Sequence, residues 1–319
     1  MLSKLGFSGH KKASGSKPFF TKTRKQYLFV WAVLILPMIQ FCIFYVGTNA
    51  SFIILSFQRY DVSTNKFVWA GFANFKKILS DMFVETSAEF KYIIPNSLMM
   101  YAGSVAGMFV SLFVSFYLYK KMLFAEKFKT ALLLAGVIPS IVIIITFKYF
   151  CEVGYPELAK IITGKRPDGL LSNTGTAFFS ILLFSQWVSI GGSFIFYVNQ
   201  MMGINESVSE AARLDGMGKI KEFFHITLPC IWPTFIVFFT VGFPSLFTGQ
   251  MNLFSYFGPD ADKRLYTFGY YLYTQTLNNR NSYLSYPYLA SFGLTLTFIA
   301  APLTLAIRKL MEKFGPSPD

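Results

Sequence analysis

The sequence predicts an all-α, polytopic membrane protein with six transmembrane helices, and three observations carry that prediction. Apolar residues make up 53% of the 319-residue chain, and charged residues only 14%. Charge is absent from six runs, at 26–58, 92–119, 130–147, 169–205, 223–259 and 281–307. Each is at least as long as the roughly 18 residues expected of a helix that crosses a bilayer. A mean hydropathy of +0.45 excludes an ordinary soluble domain.

Taken in order, residues 1–25 are rich in Gly, Ser and Lys and read as a basic arm ahead of the first run. That run is too long for a secretory signal and has no recognisable small-residue cleavage site, so it stays as the first spanning helix. Pro37, Gln40, Gly47 and Asn49 inside it predict a kink, with the polar residues turned toward protein. The third run is the shortest: its 18 residues, at about 1.5 Å each, just cross a bilayer core. A further uncharged segment at 265–279 is only 15 residues long and rich in Tyr and Thr, which predicts an interfacial position rather than a span. The spanning domain is thus 26–307, followed by a tail at 308–319.

Lysine and arginine set the orientation. Residues 1–25, 120–129, 206–222 and 308–319 carry 17 of them, whereas 59–91, 148–168 and 260–280 carry 12 over longer, more acidic segments. The positive-inside rule therefore puts both termini and the 206–222 loop in the cytoplasm. A net charge of +13 fits this topology and attraction to anionic membrane lipid; no basic face with interleaved aromatics points to nucleic acid. Cys42, Cys151 and Cys230 are too scattered for a disulfide framework or a zinc site, and Cys42 and Cys230 read as small packed hydrophobes. His10 and His225 are isolated, and no metal site is expected.

The polar segment between the fourth and fifth runs, within 206–233, carries the functional signal. Ser207 and Glu210 have the spacing of a capping box, which predicts a short helix starting near Ser207. Val208, Ala211, Ala212 and Asp215 then share one face. Gly216 is a natural helix stop. A second helix from about Lys219 would present Ile220, Phe223, Phe224 and Ile226, until Pro229 and Pro233 re-aim the chain.

These residues resemble the cytoplasmic loop of the inner-membrane permeases of ATP-binding-cassette (ABC) importers, which reads EAA, two residues, DGA, five residues, F, two, I, one, LP, three, P. Glu210, Ala211, Ala212, Asp215, Gly216, Phe223, Ile226, Leu228, Pro229 and Pro233 match in register, with Met217 in place of an alanine and Asn205 where proline is common. In the outer loop, Trp69, Gly71, Phe72, Asn74 and Phe75 resemble the FVGLxNY element of maltose-transporter-type carbohydrate permeases. Gly258 and Pro259 resemble that family's GGP turn, and Tyr271, Leu272 and Tyr273 its LYLY.

The resemblance implies the type I ABC importer permease fold in a bacterial cytoplasmic membrane. The loop, with Phe224 beside the matched positions, would couple to two ABC ATPase subunits. A second related permease and an extracellular solute-binding protein would complete the importer. A sugar, most simply an oligosaccharide, would be its substrate. The chain itself would bind no cofactor: GxxxxGK[ST] is absent, so ATP and magnesium would sit on the ATPases. Intramembrane polar residues are pathway candidates, and Gln250, Asn252, Asn199 and Asn96 are singled out, with interhelical bonding as the competing role for each. A permease for a non-sugar solute, a secondary carrier driven by an ion gradient and a non-transporting scaffold are the competing functions.

Overall fold

The computed structural model describes residues 24–83 and 89–316; most of the basic arm at 1–25 and the last three residues of the tail lie outside them. The chain divides into two compact units at Phe52 and Ile53. The first is helical. α1 (Arg24–Gln40) contains Pro37, widens into a π-type turn at Phe41–Gly47 and continues as α2 (Thr48–Ser56), which crosses the division. Asn49 donates to the carbonyl of Tyr45 at 2.7 Å, so its amide is satisfied within its own helix.

The second unit opens with a small departure from all-α. β1 (Gln58–Asp61) and β2 (Lys66–Trp69) form an antiparallel hairpin. Gly71 follows at φ +56°, a conformation natural to glycine, and leads into α3 (Ala73–Phe83). Asn74 donates to the carbonyls of Ser56 and Gln58, at 3.0 and 2.7 Å, satisfying the end of α2 and the start of β1. Phe57 packs against Trp69, Phe72 and Phe75 with ring centroids 5.1–5.6 Å apart. The FVGLxNY-like residues thus fasten the hairpin and the start of α3 to Ser56 and Phe57.

α4 (Phe90–Tyr119), α8 (Thr174–Met202) and α15 (Tyr286–Phe314) are single helices long and apolar enough to cross a membrane, as is 29–56. α15 runs through residues 308–314, so most of the tail continues the last span. The fifth run is also continuous at its start. α10 (Lys219–Glu222) passes through a π-type turn at Phe223–Thr227 into α11 (Leu228–Gly242). Pro229 and Pro233 therefore do not redirect the chain. Pro229 and Pro233 each remove a rung of this continuous ladder, and the wider turn ahead of Pro229 gives its ring room.

The third run departs most from expectation. It is split into α5 (Ala125–Val137) and α6 (Ser140–Tyr149), with Ile138 extended before Pro139. Proline disfavours helical geometry in the residue before it and removes a rung of the ladder. After a π-type turn and α7 (Tyr155–Thr163), α8 begins at the Asn173 cap. Among the described residues five helices are long and apolar enough to cross a membrane, and this broken pair is not one of them.

α4 and α8 pack along their length. Gly103, Gly107, Ser111 and Ser115 recur every fourth residue and form one stripe on α4. A Cβ on Gly107 would stand 2.6 Å from Oε1 of Gln186, so the glycine makes room for that side chain. Lower on the stripe, Ser111 and Ser193 share a 2.8 Å hydrogen bond, and Ser115 donates to the carbonyl of Phe194 at 3.1 Å.

Candidate functional site

Two sites lie along α4, one at its C-terminal end and one nearer its middle. The first is the polar segment after α8. α9 (Glu206–Leu214) is capped by Asn205, whose Oδ1 accepts from the Ser207 N–H at 3.1 Å. The Ser207–Glu210 capping box is therefore replaced by an Asx cap two residues earlier, which asparagine makes equally well. α9 ends in a Schellman motif. Met217 N–H donates to the Ala212 carbonyl at 2.9 Å, Gly216 N–H donates to Arg213 at 3.0 Å, and Gly216 holds φ +74°. No atom lies within 4 Å of a Cβ built on Gly216, so its requirement is conformational, not steric.

Of the face expected to make close contact, only Ala212 is buried within the chain. Ser209 and Ala212 are buried, while Val208, Ala211, Glu210 and Asp215 are exposed. The reason is an ionic cluster missed in the sequence. Glu222 is ion-paired with Lys120 and accepts from the Ser209 hydroxyl, and Lys120 Nζ donates to Ser209 Oγ at 2.7 Å. The Lys120 and Glu222 side chains are 5% and 3% exposed. The only sequence hint is an acid immediately before the apolar run.

Phe223 also differs from expectation. It is 3% exposed and wedged against Phe113 and Phe116 of α4, at 4.8 and 5.1 Å, so it anchors the segment to its own chain. Leu228 packs against the same cluster, Pro229 is buried, and Ile226 is half-buried. The apolar side chains that stand furthest outward are Leu214, Ile220 and Phe224, which are 89%, 76% and 49% exposed. Leu214 lay unread in the sequence, although an apolar residue at the tip of a polar loop is a signal for contact.

The second site is a break in the fifth run. α11 gives way to α12 (Ser245–Thr248), Gly249 is extended, Met251 and Asn252 adopt φ of +50° and +55°, and α13 (Leu253–Phe257) follows. Left-handed backbone at two residues with side chains is strain that neighbours must hold. α14 (Phe268–Asn278) does so from the side. Thr267 Oγ1 donates to the Gly249 carbonyl at 2.8 Å, and Gly269 lies so close to Thr248 that a Cβ would stand 2.2 Å from its oxygen. The first half of segment 265–279 is therefore a buried support, with Thr267 and Tyr270 fully enclosed.

A cavity of about 310 Å³ opens at the break, lined by Gln250, Asn252, Gln186, Ser189, Ser104 and Ser185, among others. The Ser185 hydroxyl is buried without a partner. The other two pathway candidates lie elsewhere. Asn96 donates to the carbonyls of Arg264 and Tyr266, at 2.8 and 3.0 Å, and is a structural brace. Asn199 is exposed near the far end of α8, some 20 Å along the helix from Gln186.

Among the described residues no cluster of His, Cys, Asp and Glu could hold a metal. Cys42 and Cys230 are exposed rather than packed, and Cys151 is the buried thiol.

Comparison with known proteins places residues 103–317 in a match to the family of binding-protein-dependent transport system inner membrane components. The arabinooligosaccharides transport system permease protein AraP of Bacillus subtilis is 25% identical over 96% of this chain and 95% of its own length. The probable ABC transporter permease protein YurN of the same organism is 36% identical over 106 residues, 32% of this chain and 36% of that protein. The sn-glycerol-3-phosphate transport system permease protein UgpA of Yersinia pestis is 25% identical over 69% of this chain and 72% of its own length. Among solved structures, a chain of a bacterial ABC transporter that imports the acidic polysaccharide alginate superposes with a TM-score of 0.76 at 19% identity, covering 91% of this chain and 97% of that one.

Proposed function

Since this chain belongs to the binding-protein-dependent transport system inner membrane component family, we propose that it is one permease subunit of an ATP-driven importer of a neutral oligosaccharide. It pairs with a second, related permease. Two ABC ATPases dock on the α9–α10 hairpin in the cytoplasm, where both termini also lie. A solute-binding protein delivers sugar at the opposite end, and a complex of that kind is described for the alginate transporter. ATP and magnesium are bound and used by the ATPases alone.

The observation that carries this reading is the hairpin itself: a stopped helix, a glycine turn and an outward apolar tip of Leu214 and Ile220, built onto spanning helices. Hydrophobic groups held out at the tip of a charged loop call for a protein partner. Substrate class is read from the cavity at the helix break, where Met100 and Met251 stand among hydroxyl and amide groups and no charged group is present. Such a lining matches the hydroxyls of a neutral sugar and leaves a phosphate or uronate without a counter-ion. The full-length similarity to an arabinooligosaccharide permease supports the same choice. A lining without ionisable groups also disfavours an ion-gradient carrier.

The test is uptake into proteoliposomes holding the chain with its partner subunits and the binding protein. Neutral oligosaccharide should enter only with internal ATP, without need of an ion gradient, and excess glycerol 3-phosphate or oligouronate should not compete. Gradient-driven uptake without ATP would refute the ATPase coupling. Competition by the anions would refute the substrate class.

A further inference from the structure

The Lys120–Ser209–Glu222 cluster joins three parts of the chain far apart in sequence. Lys120 is the residue that ends α4, Ser209 lies on α9, and Glu222 closes α10. The three form a closed triangle: Lys120 donates to both oxygens, and Ser209 also donates to Glu222. Lys120 Nζ stands in addition 4.8 Å from the Tyr119 ring centroid. Burying such a pair is costly, and an apolar substitute commonly serves stability as well, so a pair retained there points to fixed geometry. Phe223, wedged between Phe113 and Phe116, seals the same joint.

The hairpin has two routes to the cavity. The covalent route runs through the π-type turn at Phe223–Thr227 and past Pro229 and Pro233, where rungs of the helical ladder are missing. That route is compliant. The other route is α4, which continues unbroken from Lys120 back to Ser104 and Met100 in the cavity wall, roughly 30 Å along the axis. Met100 reaches Gly249 at the break, since a Cβ built on that glycine would meet the Met100 side chain at 2.5 Å. The small-residue stripe locks α4 to α8 along the way.

We infer that Lys120, Ser209 and Glu222 form a buried ionic joint that fixes both hairpin helices to α4, so that force on the hairpin reaches the cavity through α4 rather than through α11. They are positioning residues. The inference rests on the hairpin being the ATPase-coupling element.

The experiment uses the full complex in proteoliposomes and reads sugar imported per ATP hydrolysed. Glu222→Gln and Lys120→Met remove one charge each. Ser209→Ala removes a single oxygen and carries the least risk of misfolding. Lys121→Met, beside the joint but exposed, is the control. Sugar per ATP should fall several-fold in all three joint variants while the ATPase remains bound, stay unchanged in the control, and recover in part when Lys120→Glu is combined with Glu222→Lys. An unchanged ratio, or equal losses of uptake and hydrolysis, overturns the joint alone. A parent chain that retains no ATPase overturns the coupling reading and the joint with it.

Discussion

The hydroxyl of Thr267 holds the carbonyl of Gly249 at 2.8 Å, and through it the break in the fifth apolar run. Gly249 lies beside Gln250 in the cavity wall, and Thr267 is fully buried. The same hydroxyl accepts from the Tyr270 N–H at the start of α14. Thr267→Val keeps the shape and deletes both bonds. Leaving a buried carbonyl without its donor should cost about 1–3 kcal/mol. A lowered thermal midpoint of the detergent-solubilised complex, together with weaker sugar uptake, is the expected result.

Gly269 makes a sharper steric case. A Cβ there would stand 2.2 Å from the Thr248 oxygen and 2.5 Å from its carbonyl carbon, both backbone atoms. Gly269→Ala should therefore destabilise by about 1–3 kcal/mol or more, since neither partner can rotate away. Gly192 of α8 has no atom within 4 Å of its built Cβ. There the same change should be neutral or stabilising by about 0.5–1 kcal/mol, as expected inside a helix. Parallel melting curves of the two variants check both halves.

Phe223 and Ile220 should separate by phenotype. Phe223→Ala empties a place in the chain's own core and should cost about 3–5 kcal/mol, read as loss of folded permease. Ile220→Ser, at a site 76% exposed, should leave the melting midpoint of the permease unchanged and weaken co-purification of the ATPase. If Ile220→Ser retains the ATPase as the parent does, the outward tip is not the contact.

Gly216→Val tests the turn. A left-handed residue bearing a Cβ costs roughly 1–2 kcal/mol, which spanning helices can absorb. Yet it misdirects α10 relative to α9. Membrane insertion should be near normal, while uptake and transport-coupled ATP hydrolysis fall together. Normal uptake in this variant would remove Gly216 from the coupling element.

Charge-free runs and the Gly216 stop made the helical architecture and the hairpin legible, because both depend on local chemistry. Pro139 was equally visible, but the run around it was just long enough to pass as one helix. What the sequence could not reveal were pairings over distance. The Lys120–Glu222 pair spans 102 positions, and it turns Ser209 inward beside Ala212 while Val208 and Ala211, on the face read with Ala212, stay exposed. Asn96 and Gln250 look alike as intramembrane amides. Only the fold separates a brace bonded to Arg264 and Tyr266 from a residue lining a cavity. The four-residue spacing of Gly103, Gly107, Ser111 and Ser115 was present to be read, and it marks the α4–α8 contact.

The most direct test of the coupling reading is contact at the hairpin tip. A photo-crosslinking amino acid placed at Ile220 in the complete transporter in its native membrane should, after illumination and mass spectrometry, join this chain to a subunit carrying the GxxxxGK[ST] phosphate loop. Crosslinks confined to lipid or to this chain itself would contradict the account.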